Sequence, residues 1–162
     1  AVCDIKPSRL DWVRENTKGD IACFDDYHAL LKSGLCDAVI IATPHYYHPI
    51  IGIEAFENGL AVISEKPVGV YTKKVREFIA AADASGRPFG VMYNQRTNPQ
   101  FQKMRELVQS GALGQLKRSV WIITDWYRTQ AYYDSGTWRV LPDFESGMRQ
   151  VRRSRSKSFH RA

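Results

Sequence analysis

With 162 residues, 44% of them apolar, the chain carries enough hydrophobic side chain for one domain and the beginning of another. No apolar run approaches the roughly 18 to 20 residues that a bilayer-spanning helix needs, and the amino terminus lacks a basic-then-apolar signal pattern. Membrane and secretory classes are set aside, and a cytoplasmic location is expected. The net charge of +6 is local: six of the 23 basic residues lie between Arg149 and Arg161, and the remainder balance the 17 acidic ones.

The first two-thirds of the chain alternates strand and helix patterns. Ala1 to Cys3 reads as a strand, followed by the turn residues Pro7-Ser8 and an amphipathic stretch through Leu10 and Val13. Ile21 to Phe24 reads as strand, and a short helix through Tyr27, Leu30 and Leu31 stops at Gly34. Asp37 to Ala42 is a β-branched run of the kind buried on both faces. His48 to Asn58, ended by Gly59, predicts a helix, Ala61 to Ser64 a strand, Thr72 to Ala84 a helix ended by Gly86, and Phe89 to Tyr93 a strand. Strands separated by helices of about ten residues imply right-handed crossovers and a parallel sheet.

The pattern then changes. Asn98-Pro99 supplies an N-cap and a first-turn proline, Phe101, Met104, Leu107 and Val108 form one apolar helix face, and Gly111 closes it. Leu116 to Tyr127 predicts a long strand with Trp121, Ile123 and Tyr127 on one side and Val120, Ile122 and Trp126 on the other, the start of a second domain. The fold class predicted is α/β: a partial, doubly wound parallel sheet over residues 1–94, the start of an α+β substrate domain over 95–139, and a basic, disordered tail over 140–162. Nucleic acid would have only Arg152-Arg153-Ser154-Arg155-Ser156-Lys157 to bind, a short cluster better read as a solvated end. Cys3, Cys23 and Cys36 have neither C-x-x-C pairing nor His partners at ligand spacing, so they read as buried reduced thiols and no metal site is expected.

Polar residues recur just past the strand-like runs, where ligands bind in open parallel sheets. Asp4 follows the first strand, where a carboxylate can accept from both hydroxyls of an adenosine ribose; it also suits a turn through Pro7, and Lys6 and Arg9 nearby leave room for a 2′-phosphate. Thr43-Pro44-His45 ends the most apolar strand and His48 begins the next helix, a position suited to a nucleotide's ribose or phosphate. Glu65-Lys66-Pro67 places an acceptor and a cation at another strand end, where a lysine can hold a substrate hydroxyl and manage its proton as hydride leaves the same carbon. Asn94 follows the last strand of the series.

The run Ala42-Thr43-Pro44-His45-Tyr46-Tyr47-His48, then Glu65-Lys66-Pro67, Tyr93-Asn94-Gln95-Arg96 and Gly111-Ala112-Leu113-Gly114, resembles the Gfo/Idh/MocA family of NAD(P)-dependent oxidoreductases over about Ala1 to Arg139. The resemblance implies a Rossmann domain joined to a mostly antiparallel α/β domain, NAD as cofactor with NADP left open, and a sugar, inositol or related small molecule as substrate. A homo-oligomer is implied for the intact protein. It also implies that Asp4 holds the adenosine ribose, that Thr43, Pro44 and His48 line the dinucleotide, and that Glu65 contacts its nicotinamide half. Lys66 would then be the catalytic lysine, Asn94 would sit between cofactor and substrate, and Trp138-Arg139 would lie near the cofactor.

Two features depart from that family. The G-x-G-x-x-G turn whose amides hold a pyrophosphate is not among these residues, so Ala1 reads as entering at the family's second strand. After Arg139 the acid-x-x-x-His helix of the family is also missing. The chain therefore reads as a fragment, inactive alone, of an enzyme transferring hydride at a hydroxyl or carbonyl carbon. Two alternatives stand beside it: a non-catalytic half-Rossmann binding module with a basic tail, and redox chemistry serving a net lyase or glycosidase reaction.

Overall fold

The computed structural model describes residues 1–122, 124 and 129–134. The order is β1 (Val2–Cys3), α1 (Pro7–Asn16), β2 (Cys23–Phe24), α2 (Tyr27–Lys32), β3 (Ala38–Ile41), α3 (Tyr47–Glu57), β4 (Ala61–Ser64), α4 (Thr72–Ser85) and β5 (Phe89–Val91), followed by a 3-10 turn (Asn94–Thr97), α5 (Pro99–Gln109) and α6 (Gln130–Asp134). Helix starts follow local chemistry. Pro7 and Pro99 occupy first turns, where a missing N–H costs nothing, while Asp26 and Asn98 accept from the backbone N–H of His28 and Gln100 at 3.0 and 2.9 Å.

Among the described residues the strand pairs are parallel, as the alternation of strands and helices predicts, but the strands form two ladders. In one, β1 pairs with β2, with Val2 opposite Cys23; in the other, β3, β4 and β5 lie side by side, with Ile41 opposite Ser64 and Ser64 opposite Val91. The single sheet expected from sequence is thus divided between β1 and β3. Hydrophobic pattern marks a strand, but a ladder also needs a neighbour offering its own N–H and C=O groups.

One core nevertheless joins the two ladders. Leu30 and Leu31 of α2 pack in a cluster with Ile41, Ile51, Ala55, Phe56, Leu60, Val62, Phe78 and Ala82, and Cys3 and Phe24 lie against it. Its centre is aromatic: Phe78, fully buried, has its ring 4.8 Å from that of Phe89 and 5.8 Å from that of Phe56. Offset and tilted rings at such distances gain beyond their buried area. Gly52 of α3 makes the arrangement fit, because a Cβ there would sit 2.2 Å from two ring atoms of Phe78. The other face of the ladder is open, with Ile40 at 66% and Ile63 at 41% exposure. The run expected to be buried on both faces is therefore buried on one.

The chain divides into a unit of Ala1–Tyr93 and a second beginning at Asn94. Within the second, Phe101 stacks on Trp121 at 5.7 Å with the rings 7° from parallel, while Met104 and Val108 on the same helix are exposed. Of the strand expected over 116–127, residues 116–122 and 124 carry no strand, and 123 and 125–127 lie outside the described residues. Val120, Trp121 and Ile122 are all well exposed, which shows why alternation alone did not suffice: among the described residues no second strand supplies their hydrogen bonds. The three cysteines are free and half-buried rather than fully buried. The basic tail and Trp138-Arg139 lie outside the described residues.

Candidate functional site

The carboxyl ends of β3 and β4 meet in register. Glu65 N–H donates to the Ile41 carbonyl at 2.8 Å, extending the ladder one residue past β4, and Met92 N–H donates to the Ser64 carbonyl at 2.9 Å on the other side. Thr43, Glu65-Lys66 and Met92-Tyr93 therefore leave the sheet along one edge. Each strand ends where its apolar run ends, so the polar residue after the run emerges at the rim.

Thr43 carries the least settled group here. Its Oγ1 is buried without a hydrogen-bond partner, whereas buried hydroxyls are nearly always paired. Its carbonyl oxygen lies 2.8 Å from Nε2 of His48, and the Pro44 carbonyl accepts from Tyr47 N–H at 2.9 Å where α3 begins. His48 is 0% exposed, and its Nδ1 lies 2.7 Å from the carbonyl oxygen of Pro67. With both nitrogens engaged and no exposed surface, the ring lies behind the site, holding its loops; the expectation that it lines a ligand is not what the geometry favours.

The loop after β4 is fixed from several directions. Glu65, half-buried, turns its Oε2 back to accept from Lys66 N–H at 3.1 Å, and Ser64, fully buried, donates its hydroxyl to the Glu65 carbonyl at 3.0 Å. The Lys66–Pro67 peptide bond is cis. Gly69 lies so close to α3 and α4 that a Cβ would meet Pro49 Cγ at 2.8 Å and Val75 Cγ2 at 3.0 Å. Lys66 itself is exposed, and among the described residues its ammonium has no ion pair. The result is a cation presented to solvent from a constrained backbone. Beside it, burial pushes the His45 imidazole below its ordinary value, with the His48 and Lys66 charges acting the same way and Glu65 opposing.

Asp4 stands at the end of the other ladder, its N–H donating to the Phe24 carbonyl at 3.2 Å. Oδ1 accepts from Lys6 N–H at 2.9 Å, and Oδ2 pairs with Arg9 at 3.0 Å. Each oxygen keeps a further lone pair, so the carboxylate can still accept from a ligand hydroxyl. Asn94 opens the 3-10 turn of the second unit, where its carbonyl accepts from Thr97 Oγ1 at 2.8 Å. Sequence reasoning passed over Ser64 and Gly69. Their signals were present: a hydroxyl closing an otherwise apolar strand directly before Glu65, and a glycine two residues beyond Pro67. A cleft lined by Lys32, Asp37, Asn58 and Arg87 opens at the amino ends of β3 and β4, opposite the carboxyl edge where parallel sheets bind ligands.

Parallel strands with helical crossovers and polar residues gathered beyond their carboxyl ends define a partial Rossmann fold. The chain belongs to the Gfo/Idh/MocA family, an oxidoreductase family with an NAD-binding Rossmann fold, whose model matches residues 1–93. It is 31% identical over 115 residues to inositol 2-dehydrogenase of Rubrobacter xylanophilus, covering 70% of this chain and 33% of that one. It is 30% identical over 116 residues to D-glucoside 3-dehydrogenase of Escherichia coli, covering 72% and 33%. Among solved structures, the WlbA dehydrogenase of Bordetella pertussis, in complex with NADH and UDP-GlcNAcA, aligns with a TM-score of 0.72 and 27% identity over 84% of this chain and 38% of that one. The chain thus spans about a third of the length of the curated relatives it matches.

Proposed function

We propose that these residues form part of a nicotinamide-dependent dehydrogenase that moves hydride between the cofactor and a hydroxyl or carbonyl carbon of a sugar, inositol or related small molecule. The observation carrying this reading is the unpartnered, buried Thr43 hydroxyl on the same edge as Glu65 and an exposed Lys66. A hydroxyl left unsatisfied in the protein is a group ready to bond a ligand, and it fits the ribose or amide oxygens of a dinucleotide. Thr43 and Pro44 would line that cofactor, Glu65 would meet its nicotinamide half, and Asp4 would accept from the adenosine ribose. By the family resemblance, Asn94 would sit between cofactor and substrate, and Trp138 and Arg139 near the cofactor.

The nicotinamide, when bound, supplies the acceptor or donor of hydride. The chain's own contribution is to the oxygen. Lys66 Nζ would hold the substrate oxygen, giving it a proton from the ammonium when a carbonyl takes up hydride and, as the neutral amine, taking the hydroxyl proton when the carbon gives hydride up. Asp4 favours NAD, and the Arg9 guanidinium beside it is the group that would receive a 2′-phosphate in NADP.

These residues contain no glycine turn to hold the pyrophosphate, so the 162-residue chain alone should bind NAD weakly and turn over nothing. The test extends the chain by the flanking reading frame and follows nicotinamide absorbance with NAD and NADP over a panel of inositols and sugars. Lys66→Ala in that protein should lower kcat by about 10²–10⁴ while cofactor affinity holds. An unchanged kcat would remove Lys66 from the chemistry. Failure of every substrate with either cofactor would remove the dehydrogenase reading.

A further inference from the structure

His48 has two hydrogen bonds that one neutral ring cannot make. Nδ1 lies 2.7 Å from the Pro67 carbonyl and Nε2 lies 2.8 Å from the Thr43 carbonyl, and carbonyl oxygens only accept. A neutral imidazole carries one N–H, so its second nitrogen would turn a lone pair toward an oxygen at hydrogen-bond distance. Both contacts also fall in the short range of bonds with an ionised donor. We propose that His48 is a positioning residue held as an imidazolium, its two N–H groups clamping the Thr43 and Lys66–Pro67 loops into one rigid piece.

Helix dipole and burial oppose the charge, and the two carbonyls offset them. His48 sits in the first turn of α3, where the helix dipole disfavours a cation by a factor of about two to five. Each hydrogen bond to a charged donor is worth about tenfold or more. Burial of a lone charge would be prohibitive, but this one is solvated at both ends by oriented carbonyls. The titratable groups around it are His45, whose ring meets it edge-on at 5.6 Å, and Lys66 and Glu65 on the clamped loop. Burial holds His45 toward its neutral form, so that neighbouring ring adds no full positive charge beside His48.

The consequence for function follows from which carbonyls are held. Thr43 and Pro67 flank the two site loops, so the clamp fixes the distance between the unpartnered Thr43 hydroxyl and the backbone that presents Lys66. Positioning of this kind matters because small displacements of a reacting group lower rate steeply. This consequence for Lys66 rests on the dehydrogenase reading; the protonation of the ring does not.

The deciding measurement is the ring spectrum of the full 162-residue chain labelled with ¹⁵N-histidine, with His48 assigned through bonds from its own backbone. Near neutral pH both ring nitrogens should carry protons that exchange slowly. A bare nitrogen on His48 would overturn the proposal. Hydrogen exchange of His48→Phe adds a second arm: residues 42–47 and 65–69 should both exchange faster, on the order of ten- to a hundredfold, while α4 keeps its protection. Loosening of one loop alone would overturn the clamp, and should the variant not fold, the wild-type ring spectrum decides. A chain that shows the doubly protonated ring while its extended form oxidises nothing would refute the dehydrogenase reading and leave the clamp standing.

Discussion

Gly52→Ala sets two well-measured effects against each other, and the structure says which prevails. Alanine in place of glycine inside a helix usually stabilises by about 1 kcal/mol, and Gly52 lies mid-way along α3. The new methyl, however, would stand 2.2 Å from Cε2 and Cζ of Phe78. That ring is fully buried and packed against Phe56 and Phe89. Overpacking a filled core typically costs about 1–3 kcal/mol, and a clash this deep belongs at the upper end. The net expectation is a loss of about 1–2 kcal/mol, the difference of those two effects. In urea that moves the unfolding midpoint down by on the order of 0.5–1 M. Phe78→Leu shortens the clashing ring, so the double variant should lose less than the two single losses together by about 1 kcal/mol. A midpoint that rises for Gly52→Ala, or losses that simply add, would show that α3 and α4 do not meet through this pair.

Three further outcomes follow from the same packing. Thr43→Val removes a buried hydroxyl that has no partner, so stability should hold or rise, and a fall of more than about 1 kcal/mol in urea unfolding would reveal an internal bond to that oxygen. Val62→Ala, at a position 1% exposed, should cost about 1–3 kcal/mol, whereas Ile40→Thr on the open face should stay within about 0.5 kcal/mol; similar losses at both would mean that the second face is covered in solution. Because His45 titrates below its ordinary value in the fold, the native state binds fewer protons than the unfolded chain, so its contribution is present above about pH 6.5 and is lost as pH falls through the lower folded value. Urea midpoints of the wild type and His45→Asn should therefore diverge between about pH 7.5 and about pH 5, and parallel curves would refute the assignment.

Element order was legible in the sequence because most elements carry their own local signal. Asn98-Pro99 starts α5, Gly86 ends α4, and the run before Thr43 forms a strand. What one segment cannot announce is what another segment does for it. The strand expected at 116–127 has the alternation of a strand, yet its described residues make none, because pairing depends on a neighbour that sequence pattern does not name. The division of the sheet between β1 and β3 has the same origin. So does the exposure of Ile40, whose β-branched neighbours predict burial on both faces but whose outer face meets no described helix.

The site shows a sharper form of that limit. Strand-end position placed Thr43, Glu65 and Lys66 on one rim, since leaving a parallel strand at its carboxyl end fixes where the next residue emerges. It said nothing about direction at His48, in the first turn of a helix, where a ring can point outward to a ligand or inward to the backbone. Those alternatives look identical in sequence, because the same residue type serves both. They differ only in where the nearest acceptors lie, and here the acceptors are the carbonyls of residues five before and nineteen after it. The nineteen-residue separation decides the matter: Pro67 reaches His48 only because β4 runs parallel beside β3 and returns its loop over the start of α3. A histidine that reads as a candidate ligand from its own neighbourhood becomes, through a contact made by topology, the residue that holds the loop presenting Lys66.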